Sequence, residues 1–131
     1  MFSMENNTAG GNIDVSNINH LAFSNNTLQA NVSITGLEYL QSDILNRIAG
    51  NNITGNFNLT STPGTSHEPV YTGGNTITGT TTFDLTDGEI NTGYTGFGAD
   101  VYNGNTFITL RADEKLNESH SYPTNTTATL P

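Results

Sequence analysis

Ile53-Thr54-Gly55-Asn56-Phe57-Asn58-Leu59-Thr60 returns in diverged form as Ile77-Thr78-Gly79-Thr80-Thr81-Thr82-Phe83-Asp84-Leu85-Thr86. In both copies Ile, Gly, Phe and Leu share one parity. Each therefore reads as a strand with its large apolar residues facing in and a glycine on the inner face, where it permits a bulge or a strong bend. Asn105-Thr106-Phe107-Ile108-Thr109-Leu110 is a looser echo with Ile108, Leu110 and Ala112 inward. Asn-initiated strands at unequal but comparable spacings could record a duplication or the shared grammar of hairpins in an Asn/Thr-rich chain. The hairpin reading is adopted.

Upstream, Thr27 to Ile34 alternates strictly, with Leu28, Ala30, Val32 and Ile34 on one face and Thr27, Gln29, Asn31 and Ser33 on the other. Asn25-Asn26 reads as its turn, a hairpin back to a strand around Ile18–Phe23. The period then changes. Thr35-x-x-Glu38 has the form of a capping box, Leu37, Leu40, Ile44, Leu45 and Ile48 fall on one helical stripe, and Gly50 stands where a glycine would stop a helix. One amphipathic helix over about 37–49 is expected, packed as a lid on the sheet.

Residues 1–12 carry no periodicity and read as a flexible N-terminal segment, neither signal peptide nor membrane span. Residues 13–131 read as a single β-rich domain, since no breakpoint divides two cores. Its loops are Ser61–Pro69, an Asp87-Gly88 turn, the glycine-spaced aromatic segment Gly93–Tyr102, and Asp113–Pro123. The fold class expected is mainly β: an antiparallel β-sandwich or jelly-roll-like domain of about eight strands with one helix.

Composition narrows the function. Of 131 residues, 22 are Thr, 19 Asn and 14 Gly, and only 11% are charged, so hydroxyls and amides carry the surface polarity. Extracellular and virion β-proteins use such a surface, because Thr suits a half-exposed strand and Asn and Gly suit the turns. Leu, Ile, Val and Phe number 29, close to the disorder range, so a packed fold rests on the strand pattern. A net charge of −9 excludes nucleic-acid binding by phosphate neutralisation and disfavours anionic membranes. The absence of cysteine excludes disulfides, thiolate catalysis and Cys-based metal sites.

No catalytic constellation is present. His20, His67 and His120 are isolated from one another, and the cations Arg47, Arg111 and Lys115 are too few to hold anionic substrates well. The chain is therefore read as no enzyme, with no cofactor. Asp84, Asp87 and Glu89 form the densest acidic group around the Asp87-Gly88 turn, but lack the acidic ladder of a calcium loop. A solvated turn is the preferred reading, with no metal.

Seven Asn-x-Ser/Thr triplets occur, a count that this much Asn, Ser and Thr goes most of the way to producing by chance; Asn25 and Asn117 are the exposed-turn candidates for glycosylation. If the chain binds a glycan, Gly93–Tyr102 with its flank is the candidate segment. Tyr94, Phe97 and Tyr102 would offer flat aromatic faces, and Asp100, Asn103 and Asn105 hydrogen bonds. The same residues also read as core anchors with glycines that allow bends.

Gly104-Asn105-Thr106-Phe107-Ile108-Thr109-Leu110, a turn-rich gap, and Thr126-Thr127-Ala128-Thr129-Leu130-Pro131 follow an order similar to the last part of the β-sandwich domains that close many bacteriophage tail and receptor-binding proteins. The resemblance runs from Gly98 to Pro131. It implies a virion-surface module, often homotrimeric, that touches host glycans or neighbouring tail proteins. Composition and resemblance together lead to the expectation of a non-enzymatic virion-surface or tail-associated attachment protein. Its partners would be further copies of itself, neighbouring virion proteins and a cell-surface glycan, with no membrane insertion. The alternative is an exported bacterial or archaeal surface protein, an adhesin or a pilus or thread subunit assembled by strand addition.

Overall fold

The structure, a computed structural model, describes residues 1–38, 46–62, 69–85, 90–91, 96–110 and 124–129. Among them lie fifteen strands, and every strand pair is parallel. The chain winds in coils, each passing three strand positions before returning above its own start. The first coil carries β1 (Phe2–Glu5), β2 (Thr8–Ala9) and β3 (Ile13–Ser16); the second carries β4 (Leu21–Ser24), β5 (Thr27–Leu28) and β6 (Val32–Leu37). The third and fourth repeat this with β7 (Asn46–Ala49), β8 (Asn52–Ile53) and β9 (Phe57–Ser61), then β10 (Val70–Gly73), β11 (Thr76–Ile77) and β12 (Thr81–Asp84). In the fifth, β13 (Ile90–Asn91) is followed by the long β14 (Val101–Thr109), which spans the second and third positions, and β15 (Thr124–Thr129) pairs beyond it. The result is a parallel β-solenoid with a five-stranded face, β1-β4-β7-β10-β13, and a ten-stranded sheet that turns a corner within β14.

The first corner follows β1, β4, β7 and β10 of the five-stranded face. Asn6, Asn25, Gly50 and Gly74 all have positive φ there, between 55° and 67°. Such a residue turns the chain sharply, which suits Gly and Asn. The next residue, Asn26, Asn51 or Asn75, turns its side chain inward and is buried. Each of these amides donates from Nδ2 to a carbonyl of the coil before it, Met4, Phe23 and Ile48 respectively. Each also donates to the oxygen of its counterpart one coil on: Asn26 to Asn51, Asn51 to Asn75, and Asn75 to Asp100, at 2.7–3.0 Å. The same oxygens accept the backbone N–H of Asn26, Asn51 and Asn75. At this corner the N–H of Asn25, Gly50 and Gly74 pairs with a backbone carbonyl of the next coil, and the ladder supplies the acceptor for the buried N–H that follows.

Packing follows the coils. Leu28, Ile53, Ile77 and Tyr102 stack along the axis, as do Ile34, Leu59, Phe83 and Ile108, and all are buried. Phe23, Phe57, Phe83 and Tyr102 form a chain of tilted ring pairs with centroids 5.7–6.2 Å apart. Strand parity is the same in a hairpin and in a coil, so the inward residues expected at Leu28, Val32, Ile34, Ile53, Phe57, Leu59, Ile77, Phe83 and Leu85 are all in this core.

Several expectations are corrected. The antiparallel sandwich or jelly roll is replaced by parallel coils. No α-helix occurs among the described residues: Leu37 ends β6, Asn46–Ala49 is β7, and 39–45, with Leu40, Ile44 and Leu45, lie outside the described residues. Gly50 is a left-handed corner between two strands, a conformation it shares with a helix stop. Asn25-Asn26 makes a coil corner between β4 and β5 and not a hairpin, and Thr27–Ile34 is two strands with a bend at Gln29–Asn31. The recurring phrase marks one position per coil: Phe57, Thr81 and Thr106 are register partners, each one full winding beyond the last. Residues 1–12 include β1 and β2, paired with β4 and β5.

Two substitutions test this architecture. A Cβ on Gly79 would lie 2.5 Å from the Gly55 carbonyl oxygen, whereas one on Gly11 would meet nothing within 4 Å. Gly79→Ala is expected to cost about 3 kcal/mol by overpacking and Gly11→Ala little, read from denaturant unfolding. The Thr81 hydroxyl is buried with no hydrogen-bond partner, between Phe57 and Thr106. Thr81→Val is expected to raise stability by about 1 kcal/mol, because a methyl group needs no partner.

Candidate functional site

The second corner, between the short and the long strand of each coil, has a different construction. Ala30, Gly55, Gly79 and Gly104 occupy it in successive coils, each just past the stacked Leu28, Ile53, Ile77 and Tyr102. A Cβ on Gly55, Gly79 or Gly104 would fall 2.2–2.5 Å from the carbonyl oxygen of Ala30, Gly55 or Gly79. The bend thus presses each coil's backbone onto the previous one, and only glycine allows that approach. This is the physical meaning of the inner-face glycine in the recurring phrase.

Gly55, Gly79 and Gly104 leave the bend without side chains, Ala30 adds one buried methyl in the second coil, and the outer side of the bend is a groove along the solenoid axis. One stretch, with a volume of about 530 Å³, is lined by Asn56, Thr78, Gly79, Thr80, Asn103, Gly104, Asn105, Thr106 and Phe107. A second, of about 370 Å³, is lined by Asn12, Gln29, Ala30, Asn31, Thr54 and Gly55. The two lie side by side, Gly55 lining one and Asn56 the other. One wall is Gln29, Thr54, Thr78 and Asn103, all exposed; the other is Asn12, Asn31, Asn56, Thr80 and Asn105. No lining residue is charged. At roughly 4.8 Å per coil, the five coils extend the groove over about 19 Å.

The second wall is ordered by hydrogen bonds. Asn12 Oδ1 accepts the Asn31 N–H, Asn31 Oδ1 accepts the Asn56 N–H, and Asn56 Oδ1 accepts the Thr80 N–H, at 2.9–3.0 Å. A backbone N–H can only donate, so each oxygen must face the next coil and each Nδ2 is turned to the other side of the amide plane. At the far end Phe107 is 53% exposed, the most exposed aromatic ring among the described residues.

The residues singled out from sequence fall in three environments. Tyr94 is outside the described residues, as are Asp87 and Glu89. Phe97 is 40% exposed, and its ring covers the left-handed corner at Gly50. Asp100 and Tyr102 are fully buried, Asp100 at the end of the amide ladder and Tyr102 in the core stack, so neither meets a ligand at the surface. Asn103 and its neighbour Asn105 stand on the groove wall. Asp84 is exposed on β12; among the described residues no three His, Asp or Glu come close enough to hold a metal. His20 is half-buried, and His67 and His120 are outside the described residues.

Asp100 is the one ladder member that is a carboxylate. Its Oδ1 accepts from the Asn75 amide and N–H, and its Oδ2 accepts from the Thr72 hydroxyl at 2.7 Å. Burial pushes its pKa up, and the hydrogen bonds from Thr72 and Asn75 pull it back only in part. Tyr102 is likewise raised well above its ordinary value, first by burial and then by the Asp100 charge, so its hydroxyl stays protonated.

Sequence reasoning misses most of the groove residues, although Asn31, Asn56, Thr80 and Asn105 recur at a nearly constant interval, once per coil. That period is the available signal. Comparison of the chain with protein-family models, with curated proteins and with solved structures finds no match.

The Asp100 environment gives a pH test. Unfolded, the carboxyl titrates near 3.8; folded, it titrates higher. Between the two values the folded chain keeps a proton that the unfolded chain has released, so this group's contribution falls as pH rises through that window and stays lost above it. Asp100→Asn removes the titration and keeps an oxygen for Asn75. The gain in melting temperature of this variant over the parent is expected to be larger at pH 7 than at pH 3; an equal difference at both would show an unshifted carboxyl.

Proposed function

We propose that this chain is a non-enzymatic attachment module, displayed on a virion surface or tail, that acts through protein–protein and glycan contacts. The observation that carries the reading is the uncharged groove on a rigid stack of coils. It offers amides and hydroxyls in fixed rows, with no nucleophile, acid–base pair or metal cluster among the described residues lining it. Such a surface is equipped to bind and not to transform. Copies of the chain, as a trimer, or neighbouring surface proteins complete the display.

The second reading is a cellular surface protein, an adhesin or a thread subunit, and one feature favours it. Among the described residues β1, β2 and β3 each pair on one side only, and the inward Phe2, Met4, Ala9 and Ile13 are only half-buried. Such an end accepts further strands. Since residues 1–16 are held in this chain's own first coil, the first coil in this reading receives a neighbour's strand.

Labelled protein is expected to adsorb saturably to intact cells of some members of a bacterial panel and to be displaced by unlabelled protein. Oligosaccharides incubated with it are expected to be recovered intact. Adsorption to none of the cells would overturn the attachment reading, and turnover of any glycan would overturn the non-enzymatic one.

A further inference from the structure

We infer that the groove at the glycine corner is a binding site for an uncharged oligosaccharide lying along the solenoid axis. The inference rests on the attachment reading and names its ligand. Three features of the groove select the chemistry.

First, it recognises a repeating ligand. Asn12, Asn31 and Asn56 present the same group at the same height in successive coils, each with its oxygen engaged by the next coil and its Nδ2 turned away. A ligand that repeats at a similar spacing meets a donor at every step, and an extended sugar chain does so with its hydroxyl and ring oxygens. The opposite wall adds the hydroxyls of Thr54 and Thr78, which both donate and accept.

Second, it excludes the alternatives. No cation lines the groove and the whole chain carries −9, so phosphate, sulfate and uronate chains are repelled. An extended peptide needs unpaired backbone groups for strand addition. Here the corner backbone is paired between coils, as in Thr54 to Leu28, Thr78 to Ile53 and Gly79 to Gly55.

Third, it has a place for a sugar face. The floor is bare backbone at Gly55, Gly79 and Gly104, and Phe107 stands exposed at one end beside Asn105. An aromatic ring held on a strand stacks on the C–H face of a pyranose without reordering.

The test uses the full chain on an array of neutral tetrasaccharides, namely gluco-, manno-, galacto- and N-acetylhexosamine homopolymers, with oligogalacturonate and sialylated glycans as anionic controls. Two variants report on the groove. Asn56→Asp keeps an oxygen for the Thr80 N–H and removes the Nδ2 donor; Phe107→Ala removes the stacking face. Asn52→Asp, exposed on β8 and outside the groove, is the control. Binding of at least one neutral tetramer is expected, insensitive to added salt and weakened roughly tenfold or more by each groove variant but not by the control. Melting curves establish that each variant is folded.

Binding to no neutral glycan, a preference for the anionic ones, or full binding by folded Asn56→Asp and Phe107→Ala would each overturn the inference. A peptide ligand in the groove would do so as well. Cell adsorption separates this from the broader reading: unchanged adsorption by both variants would leave attachment standing and remove the groove from it. Array binding without adsorption would do the reverse.

Discussion

A buried polar ladder holds the coils in register. Where the chain leaves β1, β4, β7 and β10 it turns through a left-handed residue, and the N–H of the residue after it takes its acceptor from a side chain of the next coil. Asn26, Asn51, Asn75 and Asp100 fill that need, each accepting from the coil below and, for the three amides, donating to two neighbours. A chain of amides in a dry interior polarises along its length and cannot be half-satisfied without a large penalty. Because the ladder connects like positions only, it also sets like above like in the strands beside it, as in Leu28, Ile53, Ile77 and Tyr102.

Stacking of like on like explains the composition. Adjacent coils lie roughly 4.8 Å apart, where two like charges repel by about 1 kcal/mol even in water. A charged residue repeated outward on every coil would add that cost at each step. The outward row Asp14, Ser33, Asn58, Thr82 accordingly carries a single charge, at its end, and Asp84 stands alone between Thr60 and Thr109. Hydroxyls and amides tolerate stacking, and Thr also favours the extended backbone. The same constraint keeps the second corner bare at Gly55, Gly79 and Gly104, where a Cβ would run into the previous coil, and so shapes the groove. Site and scaffold have one cause.

The sequence conveyed strand character better than strand partnership. The parity of Leu28, Val32 and Ile34, or of Ile53, Phe57 and Leu59, identifies inward faces whichever strand comes next. Asn25-Asn26 and Gly50-Asn51 supply left-handed turns that serve a hairpin, a helix end or a coil corner equally, so local chemistry does not choose among them. Leu37 and Ile48 matched a helical stripe by spacing alone, since the first ends β6 and the second lies in β7. What distinguished the outcomes was the long interval: Asn26, Asn51, Asn75 and Asp100 recur once per coil, and Asn31, Asn56, Thr80 and Asn105 recur in step with them.

The sequence by itself determined that this is a strongly acidic β-protein with few charged residues and no cysteine. Those properties are sums over residues or alternations along one strand. Only the tertiary structure decided that the strands run parallel, that Asp100 and Tyr102 are buried, and that Asn31, Asn56 and Asn103 meet at one groove. The reason is physical: a strand's side-chain parity is set locally, within its own few residues. Its partner is set by closing a whole coil, and that closure is stabilised by a ladder whose rungs are far apart in the chain.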